Sequence, residues 1–202
     1  KELKKAAVYR QEFLADVSHE LKTPIFAAQG FVHTLLDNPD ESQDIRQTAV
    51  RALRDEGITV HELDRTELRN FDRETRTLTL STRASLGTRN FQLLLQLALL
   101  KQGKLIDATL DLARFHSAEA RTIAKIGLAN YFAGATLMPY TAFLAAARET
   151  RHDLEILARR FGASIEQVAH RLSTLQRPGA KGVPFFFVRV DQAGTITKRH
   201  SA

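Results

Sequence analysis

A chain of 202 residues with 44% hydrophobic side chains is long enough to bury one good core and to carry an appendage. It has no cysteine, which excludes a disulfide framework and a thiolate metal site and is compatible with a reducing cytoplasm. The net charge of +6 is uneven: residues 105–202 hold 13 Lys and Arg against 8 Asp and Glu, so an anionic partner is expected on the C-terminal half.

Residues 1–36 read as one long helix, because Leu3, Ala6, Ala7, Phe13, Leu14, Val17, Leu21, Ile25 and Ala28 recur mostly at three- and four-residue steps. Pro24 removes one amide donor and predicts a bend near Leu21. "DNPD" (37–40) ends the helix, and residues 41–57 predict a short amphipathic one with Ile45, Ala49 and Leu53 on one side and Gly57 as its stop. The period then changes from helix to strand. "ITVHEL" (58–63), "ELRNF" (67–71) and "TLTLS" (77–81) alternate and are rich in β-formers, with turn chemistry in "DRET" (72–75), so a small antiparallel sheet is expected.

Helical periodicity returns after Ser81, over about 84–101, 104–114, 117–136, 139–150, 152–160 and 164–176. The tail has Pro and Gly punctuation, an apolar strand-like run at 185–190 and a turn at "DQAG". The longest apolar run, "FQLLLQLALL" (91–100), is far short of the roughly 20 residues a membrane helix needs and reads as buried core. No secretory pattern is present in the charged opening "KELKKAAVYRQEF", so a cytoplasmic chain is expected.

"FLADVSHELKTPI" (13–25) carries the first candidate chemistry. A phosphorylated histidine must be exposed and must sit beside a carboxylate that can take the ring proton. Here His19 is the candidate acceptor, Glu20 its neighbour, and Thr23 lies one turn on, where its hydroxyl could position water. On this box, residues 1–36 resemble the phosphoacceptor helix of sensor histidine kinases. The resemblance implies pairing with a second helix and a four-helix homodimer, with a response regulator or a kinase ATP-binding domain acting in trans. No asparagine box is present and the 10 glycines are scattered, so the chain has no loop to cradle a triphosphate.

From about residue 58 a second resemblance takes over. "LANYFAGATLMP" (128–139) and "LARRFGASIEQVAHRLSTLQRPG" (157–179) are its most specific parts. They resemble the IrrE/ImmA-type domain of bacterial short-chain fatty acid regulators. Peptidase members of that superfamily carry HExxH on the helix matched by Phe91 to Leu100, two histidines on one face binding zinc and the glutamate serving as base. The corresponding stretch is "LLLQLAL" (93–99), and the family's further acidic ligand falls on Ile126. His19-Glu20 and His61-Glu62 do not replace the motif, because Thr23 and Arg65 stand where a second imidazole is needed. No metal and no cofactor are expected.

Within segment 152–176, "DLEILARRFGASIEQVAHRL" has helix-turn-helix spacing, with a turn at Gly162, an N-cap at Ser164 and a capping-box partner at Gln167. A recognition helix here would present Ser164, Glu166, Gln167, His170 and Arg171 to a DNA groove, while Arg159, Arg160, Arg177 and Lys181 would meet phosphates. The alternative is that the pair packs as a helical hairpin within the core.

The expected fold is α+β and predominantly α-helical: a long N-terminal helix, then a degenerate zincin-like helical domain with a small antiparallel sheet. The expected domains are residues 1–37 as the phosphoacceptor-like helix, 38–57 as a linker with a short helix, and 58–202 as an IrrE/ImmA-like pseudo-peptidase domain. The expected function is that of a non-catalytic regulatory module of a bacterial transcription regulator, acting through DNA or protein contacts. The alternative is a phosphoacceptor signalling protein using His19. The regulators' ligand-sensing domain is expected to begin where "KRHSA" stands, and the two resemblances together make the sequence look composite.

Overall fold

The computed structural model describes residues 45–112, 115 and 117–201. The long N-terminal helix, its bend at Pro24, and His19, Glu20 and Thr23 lie outside the described residues.

Helix α1 (Ile45–Asp55) buries Ala49 and Leu53, the stripe expected from their four-residue spacing, against helix α2 (Leu86–Lys101). It is part of the core, where the sequence suggested a linker. Arg46 ties it down: Nη1 donates to Asn90 Oδ1 at 3.0 Å, and Nη2 pairs with Glu62, which also receives Arg89. Burial, and then the Arg89 charge, hold the Arg46 guanidinium below its ordinary pKa.

Strands β1 (Thr59–Leu63), β2 (Arg69–Asp72) and β3 (Thr77–Ser81) form a sheet of order β1-β3-β2. "DRET" makes the expected antiparallel hairpin, with Arg69 opposite Leu80 and Asp72 opposite Thr77. Its turn is closed by Asp72 Oδ1, which accepts from the Glu74 and Thr75 amides at 2.8 and 3.2 Å. The sheet is nevertheless mixed and not antiparallel throughout, because β1 runs parallel to β3, Thr59 beside Thr77 and Leu63 beside Ser81. The reason is burial. Leu78 and Leu80 of β3 are completely covered, so β3 takes the central place, and the connection through β2 is long enough for a parallel return.

The helical part follows in α2, α3 (Gly103–Leu112), α4 (Ala118–Leu137), α5 (Tyr140–Glu149), α6 (Leu154–Phe161) and α7 (Ile165–Ser173), close to the expected spans. Local signals account for the boundaries. Ser85, Ser117, Asp153 and Ser164 cap α2, α4, α6 and α7 by accepting backbone N–H bonds. Between α5 and α6, Arg151 and His152 take φ of 52° and 64°, a left-handed break without glycine. The last element is a ribbon, β4 (Phe186–Val190) against β5 (Ile196–Ser201), of which only the first strand was legible from composition.

The core centres on α2 against α4, with α5, α6 and α7 closing one end. Gly87, in the first turn of α2, abuts the α6–α7 turn. A Cβ there would lie 2.8 Å from the Ala163 carbonyl carbon and 2.9 Å from the Gly162 oxygen. Backbone cannot yield as a side-chain tip would, so Gly87→Ala should destabilise the domain by about 1–3 kcal/mol, read as a lower urea midpoint with unchanged slope.

Candidate functional site

Two places could carry chemistry: the α2–α4 pair, where peptidase relatives hold zinc, and the α6–α7 pair. In the first, Leu93, Leu94, Leu95, Gln96 and Ala98 of α2 are buried. Gln96 is the only residue of the "LLLQLAL" stretch with a side-chain heteroatom donor, and its Oε1 already accepts from Arg69 Nη1. Burial lowers the pKa of that Arg69 guanidinium. Ile126, at the position of the further ligand, is hydrocarbon on the open face of α4. Among the described residues no group of three or more His, Asp or Glu side chains could hold a metal ion. The residues present do not fit zinc, because leucine and isoleucine have no lone pair to offer and the one amide is engaged.

The α6–α7 pair has the predicted local geometry. Asp153 Oδ1 accepts from the Ile156 amide at 2.9 Å, Gly162 is left-handed at φ 57°, and Ser164 and Gln167 close a complete capping box at 3.2 and 2.8 Å. The tertiary setting differs from that of a recognition helix. β4 lies across α7: Glu166 pairs with Arg189 at 3.2 Å, and the His170 ring sits 5.7 Å from Phe187. Ser164 and Gln167 are engaged with each other, so the polar face assigned to a groove is already occupied.

Arg171 overturns its sequence assignment outright. It is 5% exposed, its Nε donates to the Met138 carbonyl at 2.9 Å and its Nη1 to Thr174 Oγ1 at 3.3 Å. The guanidinium lies 5.8 Å from the ring centres of both Tyr131 and Tyr140. Burial pushes its pKa below the ordinary arginine value, and Tyr131 and Tyr140 partly offset that. A side chain held in this way cannot reach DNA. The signal was present in the sequence: Val168, Arg171, Leu172 and Leu175 follow the i, i+3, i+4, i+7 pattern of a core stripe.

The remaining basic candidates are scattered. Arg159 and Lys181 are exposed, and Arg160 is exposed but paired with Glu149 at 2.7 Å. Arg177 stacks 4.2 Å from the Tyr140 ring centre while its amide donates to the Tyr140 hydroxyl at 2.9 Å. That hydroxyl in turn donates to the Ala180 carbonyl at 2.9 Å. Tyr140 therefore joins two arginines and the segment after α7, a role that sequence reading missed because its partners lie 31 to 40 residues away.

Comparison with known proteins agrees with this architecture. The family profile described as the IrrE N-terminal-like domain matches residues 54–173, and that of the short-chain fatty acyl coenzyme A regulator C-terminal region matches residues 174–202. The C-terminal region thus begins at residue 174, inside the described structure, and not after "KRHSA". A third profile, the phospho-acceptor domain of histidine kinase A, matches residues 9–66.

The chain is 67% identical over 160 residues to the propionyl-CoA carboxylase regulator of Cereibacter sphaeroides, covering 79% of this chain and 34% of that protein. It is 50% identical over 141 residues to the HTH-type transcriptional regulator RamB of Mycobacterium tuberculosis, covering 70% of this chain and 30% of that one. A solved structure of a Mycobacterium tuberculosis transcriptional regulator superposes with a TM-score of 0.80 at 40% identity, over 94% of this chain and 58% of that chain. The chain spans about a third of the length of the curated relatives it matches. With the profile match covering more than half of its residues, this chain belongs to the IrrE N-terminal-like domain family.

Proposed function

We propose that the chain is a non-catalytic regulatory module of a bacterial transcription regulator that acts in the cytoplasm through protein contacts, and that short-chain acyl-coenzyme A metabolites are the class of effector to which the whole protein responds. The observation that carries this reading is the 67% identity to a propionyl-CoA carboxylase regulator, on a scaffold whose zinc positions are apolar. The C-terminal regulator match over residues 174–202 supports the effector class. DNA association belongs to the whole regulator. In this module Arg159, Arg160 and Lys181 are placed for phosphate contact only, because β4 covers the face of α7 that would read bases.

The phosphoacceptor alternative rests on the match over residues 9–66 alone. The second helix of its hairpin would need the apolar face of α1, yet Ala49 and Leu53 are already buried in this domain, and residues 59–63 of the same match form a strand.

The test is a fluorescence-anisotropy titration of the chain against a promoter duplex and an unrelated duplex at two salt concentrations. Weak binding that falls steeply with salt and does not distinguish the duplexes is the expected result. Discrimination by about 1,000-fold or more between them would overturn the assignment and return α7 to a reading role.

A further inference from the structure

The β4–β5 ribbon has two unlike faces. Phe187 and Arg189 reach α7, through the His170 ring at 5.7 Å and Glu166 at 3.2 Å. Alternation turns Phe186 and Val190 away from that contact, and they are 60% and 53% exposed; Ile196, the cross-strand partner of Val190, is 51% exposed. The turn between the strands is well made. Asp191 Oδ1 accepts from the Ala193 and Thr195 amides at 2.9 and 2.8 Å, and Gly194 is left-handed at φ 78°. A carefully closed hairpin with an outward Phe, Val and Ile is an incomplete sheet: two strands alone are marginal in water, and they need a further strand or a covering layer.

What completes it follows from where the ribbon lies. It falls within residues 174–202, the stretch that matches the C-terminal region of the acyl-coenzyme A regulators. The curated relatives are about three times as long as their match to this chain, so they have ample further chain to supply the cover. We propose that the outer face of β4–β5 is the seat on which the rest of the C-terminal regulator region packs within the same polypeptide, joining the effector-responsive part to α7 through Phe187 and Arg189. This extends the proposed function, but it rests on the family match and not on DNA binding.

The test uses the full-length Cereibacter sphaeroides regulator carrying residues 45–202 of this chain in place of its own matched segment, compared by hydrogen–deuterium exchange with the 202-residue chain. The amides of residues 186–190 should exchange at least 10-fold more slowly in the full-length protein, and Phe186→Glu should remove that difference. Protection of α2 and α4 should be unaltered by the variant, which separates loss of docking from loss of fold. Equal exchange of the ribbon in the two proteins would overturn the proposal. So would protection that rises with concentration in the 202-residue chain, which would make a second copy the occupant. Neither readout involves DNA, so either result leaves the regulatory reading to be decided by the anisotropy titration.

Discussion

Phe143→Ala should cost the domain about 3–5 kcal/mol, the range for truncating a buried aromatic where the surroundings cannot collapse. Phe143 has no exposed surface, and its ring meets Phe161 edge-to-face, with centroids 5.2 Å apart at 64°. That contact ties α5 to α6 across the left-handed break at Arg151 and His152, so the lost area and the lost aromatic pairing fall on the same joint. Urea denaturation followed by circular dichroism reads the effect as a fall in midpoint. A loss below about 1 kcal/mol would mean that the joint repacks, and the close packing described for α5 and α6 would be wrong.

Arg171 gives the second large effect, and the choice of replacement separates its charge from its volume. Arg171→Ala should destabilise by about 2–4 kcal/mol, because it leaves a cavity and strips a donor from the Met138 carbonyl. Arg171→Met keeps most of the volume and removes a cation that burial disfavours, so it should stay within about 1.5 kcal/mol of the parent. The buried guanidinium is then a specificity device more than a source of stability. In both variants, DNA affinity per folded molecule should be unchanged. A drop of 10-fold or more in Arg171→Met, with stability retained, would restore Arg171 to the DNA interface.

Much of this protein was legible in the sequence, for local reasons. Helix starts were marked by Ser85, Ser117, Asp153 and Ser164, whose side chains satisfy amides two or three residues on, and Gly162 marked the α6–α7 turn by its freedom to adopt φ 57°. The loss of the zinc set was equally local, since no arrangement in space makes Leu95 or Ile126 a ligand. The family followed from contiguous words such as "LANYFAGATLMP", which need no knowledge of contacts.

Tertiary structure alone decided what depends on distant partners. β1 joined β3 in parallel because Leu78 and Leu80 had to be covered from both sides, which no hairpin rule states. Arg171 found Met138, 33 residues back in the chain, and Glu166 found Arg189, 23 residues ahead. Both contacts were invisible to a reading based on helical period and turn chemistry. The sequence by itself therefore determined which chemistry the chain can carry and where its helices begin and end, since side-chain donors and capping bonds are properties of a few neighbouring residues. Which of its charged side chains face solvent was settled only when β4 packed on α7 and the tyrosines closed over Arg171, because burial is set by elements far apart in the chain.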